Sequence, residues 1–323
     1  MPLAPILMHP AFRYGAATPW GGSLLRDVYH KDTPDARTGE SLEVSAIPGL
    51  NSTDAEGTPL GRLVERYGKA LLGTEVKGDF PLLLKLIDAK QPLSVQVHPD
   101  DAYAQKHENK LGKTEAWVIL EAQPGAKLVY GIRQGVSREQ LGNAAEQGRQ
   151  LEDLLRHVEV KPGDVFFIPA GTVHAIGEGI LLYEIQQSSD VTYRFYDWER
   201  RDEHGNKRAL HTRQALDVVS LGEPPVPQPV RACPLQGEGR LEMLLETPFF
   251  IISRYLNCRD VLIPADRRRF AMLTAVQPAT LHYLDRSLEL AAGQTALLPA
   301  NGEDLRVTGE QLLYSAPYVK ENA

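Results

Sequence analysis

Before residue 222, strand-length apolar runs set the pattern of the chain. Residues 42–47, 80–88, 116–120 and 181–186 all read as β. In Leu93-Ser-Val-Gln-Val-His98, apolar and polar positions alternate. Successive strand side chains point to opposite faces, so Gln96 and His98, two apart, project from the same one. Helical spacing is confined to residues 60–72, 137–157 and 211–220, and Ser137-Arg-Glu-Gln140 has the form of a capping box at the start of the second. A few helices on a mostly β chain predict one barrel with peripheral helical decoration.

The clearest boundary is Gly222-Glu-Pro-Pro-Val-Pro-Gln-Pro229, which carries four prolines in six positions and can be neither helix nor central strand. It predicts a catalytic unit over 1–222, a linker over 223–230 and a β unit over 231–323. That last part reads as short strands with a faint internal repeat. Gly293-Gln-Thr-Ala-Leu-Leu-Pro-Ala-Asn-Gly-Glu-Asp304 overlays Gly163-Asp-Val-Phe-Phe-Ile-Pro-Ala-Gly-Thr-Val-His174 without gaps, with Asp304 where His174 stands. The expectation is a second, degenerate barrel without a metal ligand.

His174 follows a Pro-Gly-Asp turn, a short apolar strand and a second tight turn at Pro169-Ala-Gly171. That unit, preceded by a strand carrying Gln96 and His98, is the pattern of the cupin β-barrel, whose strands turn alternate residues inward. With Glu115 the four form a mixed N/O set suited to a divalent transition metal, zinc foremost, with room for water or substrate. Two histidines in matching strand contexts outweigh the bland reading of two unrelated structural residues.

Composition narrows the function classes. The 323 residues are 42% hydrophobic and 24% charged, ordinary for a globular chain. A formal charge of −7 argues against a nucleic-acid surface, and Arg267-Arg-Arg269 is too short to reverse that. Cys233 and Cys258 are far apart. With no leader pattern and no 18-residue apolar stretch, the expectation is a cytoplasmic protein without disulfides or membrane contact.

Six blocks resemble one family in its own order. They are Pro19-Trp-Gly-Gly22, Gly39-Glu-Ser-Leu-Glu-Val-Ser45, the run from Phe80 to Asp101, Gly112-Lys-Thr-Glu-Ala-Trp117, the run from Gly163 to His174, and Ser189-Asp-Val-Thr-Tyr-Arg194-Phe-Tyr-Asp197. The chain resembles type I mannose-6-phosphate isomerases in their short bacterial form. The resemblance implies a cupin-type jelly roll plus a smaller C-terminal β domain. It implies one zinc per chain on Gln96, His98, Glu115 and His174, with Lys113 and Arg194 beside a sugar phosphate and Asp190 close by. It also implies aldose–ketose isomerisation of mannose 6-phosphate through an enediolate. Metal-bound water, Asp190 and Lys113 remain open as the base, and the oligomeric state is unreadable. Two rivals stand beside this reading. One is another metal-dependent cupin enzyme, disfavoured by having only two histidines in ligand contexts; the other is a sugar-phosphate-binding regulatory cupin without turnover.

Overall fold

The computed structural model describes residues 2–320. Two antiparallel sheets face each other before residue 222. One has six strands, in the order Ala11–Tyr14, Thr38–Val44, Leu82–Ala89, Ile180–Gln187, Glu115–Ala122 and Val165–Ile168. The other has five, in the order Tyr193–Tyr196, Val95–Val97, His174–Ile176, Lys127–Ile132 and Leu155–Glu159. From Leu82 onward the chain changes sheet at nearly every step. That is the path of a jelly roll, the cupin-type barrel the sequence predicts.

The apolar runs are explained by what covers each face. Every residue of Leu82–Ala89 and of Ile180–Gln187 is buried. Leu84, Leu86, Tyr183 and Ile185 point out of the barrel, onto Phe250, Met272 and Leu313 of a C-terminal sheet. Ile87, Trp117 and Leu182 point inward and pack against Leu128, Tyr130 and Ile176 of the five-stranded sheet. A strand packed on both faces has no polar side, so it reads as a continuous apolar run. The outer face of the five-stranded sheet is covered by the Arg138–Glu146 and Thr212–Val218 helices.

The C-terminal sheet has nine strands, centred on the long pair Phe250–Ile263 and Leu305–Pro317. The strand Ile6–Met8 joins it by pairing with Thr295–Leu298. At the position overlaying His174, Asp304 accepts a hydrogen bond from the Ala265 amide at 2.9 Å.

The helices depart from expectation where glycine intervenes. The predicted 60–72 helix is two, Leu60–Tyr67 and Lys69–Leu72, broken at Gly68 with φ 47°. The capping box on Ser137 forms as predicted. Its helix ends at Glu146 rather than near 157, because Gly148 takes φ 65° and a 3₁₀ turn leads into the Leu155–Glu159 strand. His157 is therefore a strand residue. The Asp101–Glu108 helix, capped by the Asp100 side chain on the Tyr103 amide, was not anticipated. Among the described residues, no helix is long and apolar enough to cross a membrane. Both cysteines are free.

Candidate active site

The ladder of the five-stranded sheet aligns the residues singled out by spacing. His174 stands opposite Gln96, and Gln96 in turn stands opposite Arg194. Glu115 enters from the facing sheet as the first residue of its strand. His98, just past the end of Val95–Val97, donates from Nδ1 to the Val191 carbonyl at 2.9 Å. His174 donates from Nδ1 to the Thr172 carbonyl at 2.9 Å. A carbonyl can only accept, so both rings are fixed with the proton on Nδ1 and the lone pair on Nε2.

Those lone pairs converge on a carboxylate. His174 Nε2 is 3.2 Å from Glu115 Oε1, and His98 Nε2 is 3.6 Å from Glu115 Oε2. One ligand atom from each of the three residues lies within 4.8 Å of the others, and all three are buried. The Gln96 amide nitrogen is 3.3 Å from His174 Nε2, and a half turn of the amide presents its oxygen there instead. Neither Glu115 oxygen accepts a well-directed hydrogen bond. Two buried imidazole lone pairs and a buried, under-satisfied carboxylate, with a half-buried amide beside them, fit a divalent cation.

Lys113 supplies the cation on the chain itself. Its Nζ lies 2.5 Å from Glu115 Oε2 and 3.1 Å from His98 Nε2. Gly112 makes this approach feasible, because a Cβ there would sit 2.4 Å from the Asp100 carbonyl carbon. Asp101 Oδ1 accepts from the Gly112 amide at 2.8 Å, and Gln187 Oε1 accepts from the Thr114 amide at 2.9 Å. These bonds clamp the segment on both sides of Lys113.

Electrostatics separates the buried groups into roles. Burial, then the Lys113 charge, lowers both histidines, His174 to about 4, so both are neutral near pH 7. Burial raises Glu115 to about 7 against the pull of Lys113. Burial would raise Glu184 too, but Lys85 and Lys113 outweigh it and hold this carboxyl well below the usual range. One buried carboxyl is thus ionised and its neighbour is poised near neutrality.

Gln96, Lys113, Arg194 and Asp190 all line one cavity of about 270 Å³. Asp190 is on its rim, with its carboxylate 2.6 Å from Lys110 Nζ, apart from the His98–Glu115–His174 cluster. Four charged residues of the six-stranded wall escaped the sequence reading. Lys85 Nζ lies 3.1 Å from Glu184 Oε1 and 3.7 Å from Glu40 Oε2, and Arg13 reaches Glu40 at 3.5 Å. Glu184 Oε2 also accepts from Trp117 Nε1 at 2.9 Å. For Lys85 and Glu184 the signal was a lone charge inside each apolar run, Leu84-Lys85-Leu86 and Tyr183-Glu184-Ile185.

Fold and site together define a cupin-barrel enzyme with a buried His/Glu/His cluster beneath a charged cavity. Residues 14–117 match the family model described as phosphomannose isomerase type I, catalytic domain. Mannose-6-phosphate isomerase of Streptococcus mutans is 42% identical over 240 residues, 73% of this chain and 74% of that one. Mannose-6-phosphate isomerase ManA of Bacillus subtilis is 40% identical over 262 residues, 79% of this chain and 80% of its own. The crystal structure of the mannose 6-phosphate isomerase from Bacillus subtilis superposes with a TM-score of 0.89 at 31% identity, covering 98% of this chain and all of that one. The chain belongs to the type I phosphomannose isomerase family, and it is an isomerase.

Proposed function

We propose that the protein interconverts mannose 6-phosphate and fructose 6-phosphate through an enediolate, with one zinc ion per chain held by Gln96, His98, Glu115 and His174. The observation that carries this reading is the pair of imidazoles fixed with Nε2 free and aimed at an under-satisfied carboxylate. When bound, the ion supplies fixed positive charge beside the sugar's O1/O2 pair, where negative charge develops. Lys113 places an ammonium at the same point and can move a proton to or from those oxygens. Glu184, ionised and with Oε1 facing no well-directed donor, takes the proton from one carbon and returns it to the other. Lys85 keeps that carboxylate charged between turnovers. Arg194 holds the anionic substrate on the opposite wall, and Asp190 stays at the rim. Residues 1–222, apart from the strand Ile6–Met8 that joins the C-terminal sheet, then form the catalytic unit, 223–230 a linker, and 231–323 a cover without a metal of its own. The cytoplasm is where such a sugar-phosphate substrate would be met.

A coupled assay for fructose 6-phosphate formed from mannose 6-phosphate tests the reading. Prolonged chelation should abolish the activity, zinc should restore it, and elemental analysis should give one metal per chain. Full turnover by rigorously metal-free protein would sink the metal assignment. No turnover by the metal-loaded protein would sink the isomerase substrate.

A further inference from the structure

The two walls of the cavity are charged differently. On the six-stranded wall, Arg13 and Lys85 face Glu40 and Glu184, so positive and negative groups balance. On the other side Arg194 and Arg208 line the cavity, and the one lining carboxylate there, Asp190, is already paired with Lys110; Asp197 is the carboxylate that Arg208 shares with Arg200, at 2.6 and 3.0 Å. Three guanidiniums around one carboxylate leave a surplus of about two positive charges. A phosphate monoester carries about −1.5 to −2 at neutral pH.

The backbone brings Arg208 to this place. The chain leaves the Tyr193–Tyr196 strand, loops out through a charged stretch, and returns so that the His211 amide donates to the Arg194 carbonyl at 2.8 Å and the Arg194 amide donates to His211 Nδ1 at 3.2 Å. Arg208 closes the loop with a two-pronged grip on Asp197, Nε at 2.7 Å and Nη2 at 2.6 Å. Asp197 is buried, so the guanidinium plane is fixed rather than swinging. Among the described residues nothing engages Nη1 of Arg208, and the side chain lines the cavity. Arg194 donates from Nη1 to the carbonyl of Ala209, next to Arg208, at 2.9 Å, while its buried Nε has no partner. Burial and the Arg208 charge both work against the charge on Arg194, a tension that a bound anion relieves.

We infer that Arg208, locked by Asp197 and acting with Arg194, is the phosphate-recognising fork of the cavity. It sets specificity for a phosphorylated over a free sugar. The inference rests on the sugar-phosphate reading above and adds the residue that selects for it. Charge and a bidentate donor set on one wall, with the proton-moving groups on the other, would hold an extended substrate phosphate-end to Arg208 and carbonyl-end to Lys113.

Inorganic phosphate is the probe, titrated by calorimetry into the full-length protein without any turnover. Arg208→Ala should weaken its binding by roughly tenfold to a hundredfold, the scale of one charge-assisted contact. Arg208→Lys should fall in between, since a point charge cannot grip Asp197 with two prongs. Arg201→Ala removes the same charge from the same loop outside the cavity and should change the affinity less than twofold. Arg208→Ala or Arg208→Lys binding phosphate like the wild type would overturn the inference, as would an equal loss in Arg201→Ala. An inactive wild type whose phosphate binding still depends on Arg208 would refute the isomerase reading and leave the fork standing.

Discussion

Glu184 has three neighbours that decide what it can do: the Lys85 ammonium, the Trp117 indole and the cavity. A charge this deep persists only with a partner, and breaking such a pair from one side costs about 3–5 kcal/mol. Glu184→Gln removes the proton acceptor at constant volume and leaves Lys85 with Glu40 alone. The expected result is a fall in kcat of about 10²-fold or more, the ordinary contribution of a general base. Exchange of the sugar's C2 hydrogen with solvent should fall in step. A kcat within threefold of wild type would remove Glu184 from the chemistry. At this scale the sequence was informative about His98, His174 and Lys113, whose motifs are local. Glu184 showed only as a lone charge in an apolar run, because the Lys85 contact that gives it a role joins residues 99 apart in the chain and exists only once the strands Leu82–Ala89 and Ile180–Gln187 pair.

The strand ladder turns these single residues into a site. Gln96, His174 and Arg194 line up because three neighbouring strands share a register, and a slip of any one strand by one residue would turn its side chain away from the site. That alignment was partly legible, since the Gln96–His98 alternation fixes one face but cannot say which strand lies alongside. The helix ends were less legible, because glycines at 68 and 148 were free to stop what periodicity alone would have continued. Gly112 shows how tightly the segments fit. A Cβ there would meet the Asp100 carbonyl carbon at 2.4 Å and the Asp101 nitrogen at 2.5 Å, both backbone atoms that cannot swing aside. Gly112→Ala should therefore destabilise the protein by about 1–3 kcal/mol, as overpacking does. It should also displace Lys113, lowering kcat/KM by roughly tenfold or more. Denaturant midpoints at unchanged slope, alongside steady-state kinetics, would check both effects. A wild-type midpoint and kcat/KM would show that the segment has slack the contacts deny.

Across the whole molecule, the barrel and the C-terminal sheet share a core that also carries polar ties. Lys31 Nζ bonds the Glu43 carboxylate at 2.7 Å and the Gly293 carbonyl at 2.9 Å, and Tyr183 meets Ser315 at 2.7 Å. The metal-type cluster itself lies inside the barrel, buried, and the exclusion of water there is what moves its protons. In the metal-free protein Glu115 is raised from an ordinary 4.5 to about 7, and His174 is lowered from 6.5 to about 4. Between pH 4.5 and 7 the native state holds a Glu115 proton that the unfolded chain has released, so this group's contribution to stability falls as pH rises. Between pH 4 and 6.5 the native state lacks a His174 proton that the unfolded chain keeps, so that contribution rises with pH. Opposed slopes blur a melting curve, but metal uptake separates them. A divalent ion needs an ionised carboxylate and neutral imidazoles. At pH 6 the imidazoles are already neutral and Glu115 is mostly protonated, so binding should release about one proton. At pH 8 Glu115 is already ionised, and the release should shrink to a small fraction of one. Calorimetric titration of zinc into chelator-treated protein, in two buffers of different ionisation enthalpy, counts those protons. A release near two at pH 6 would mean that one of the histidines enters protonated, and an unchanged release at pH 8 would mean Glu115 is not the group that gives up the proton.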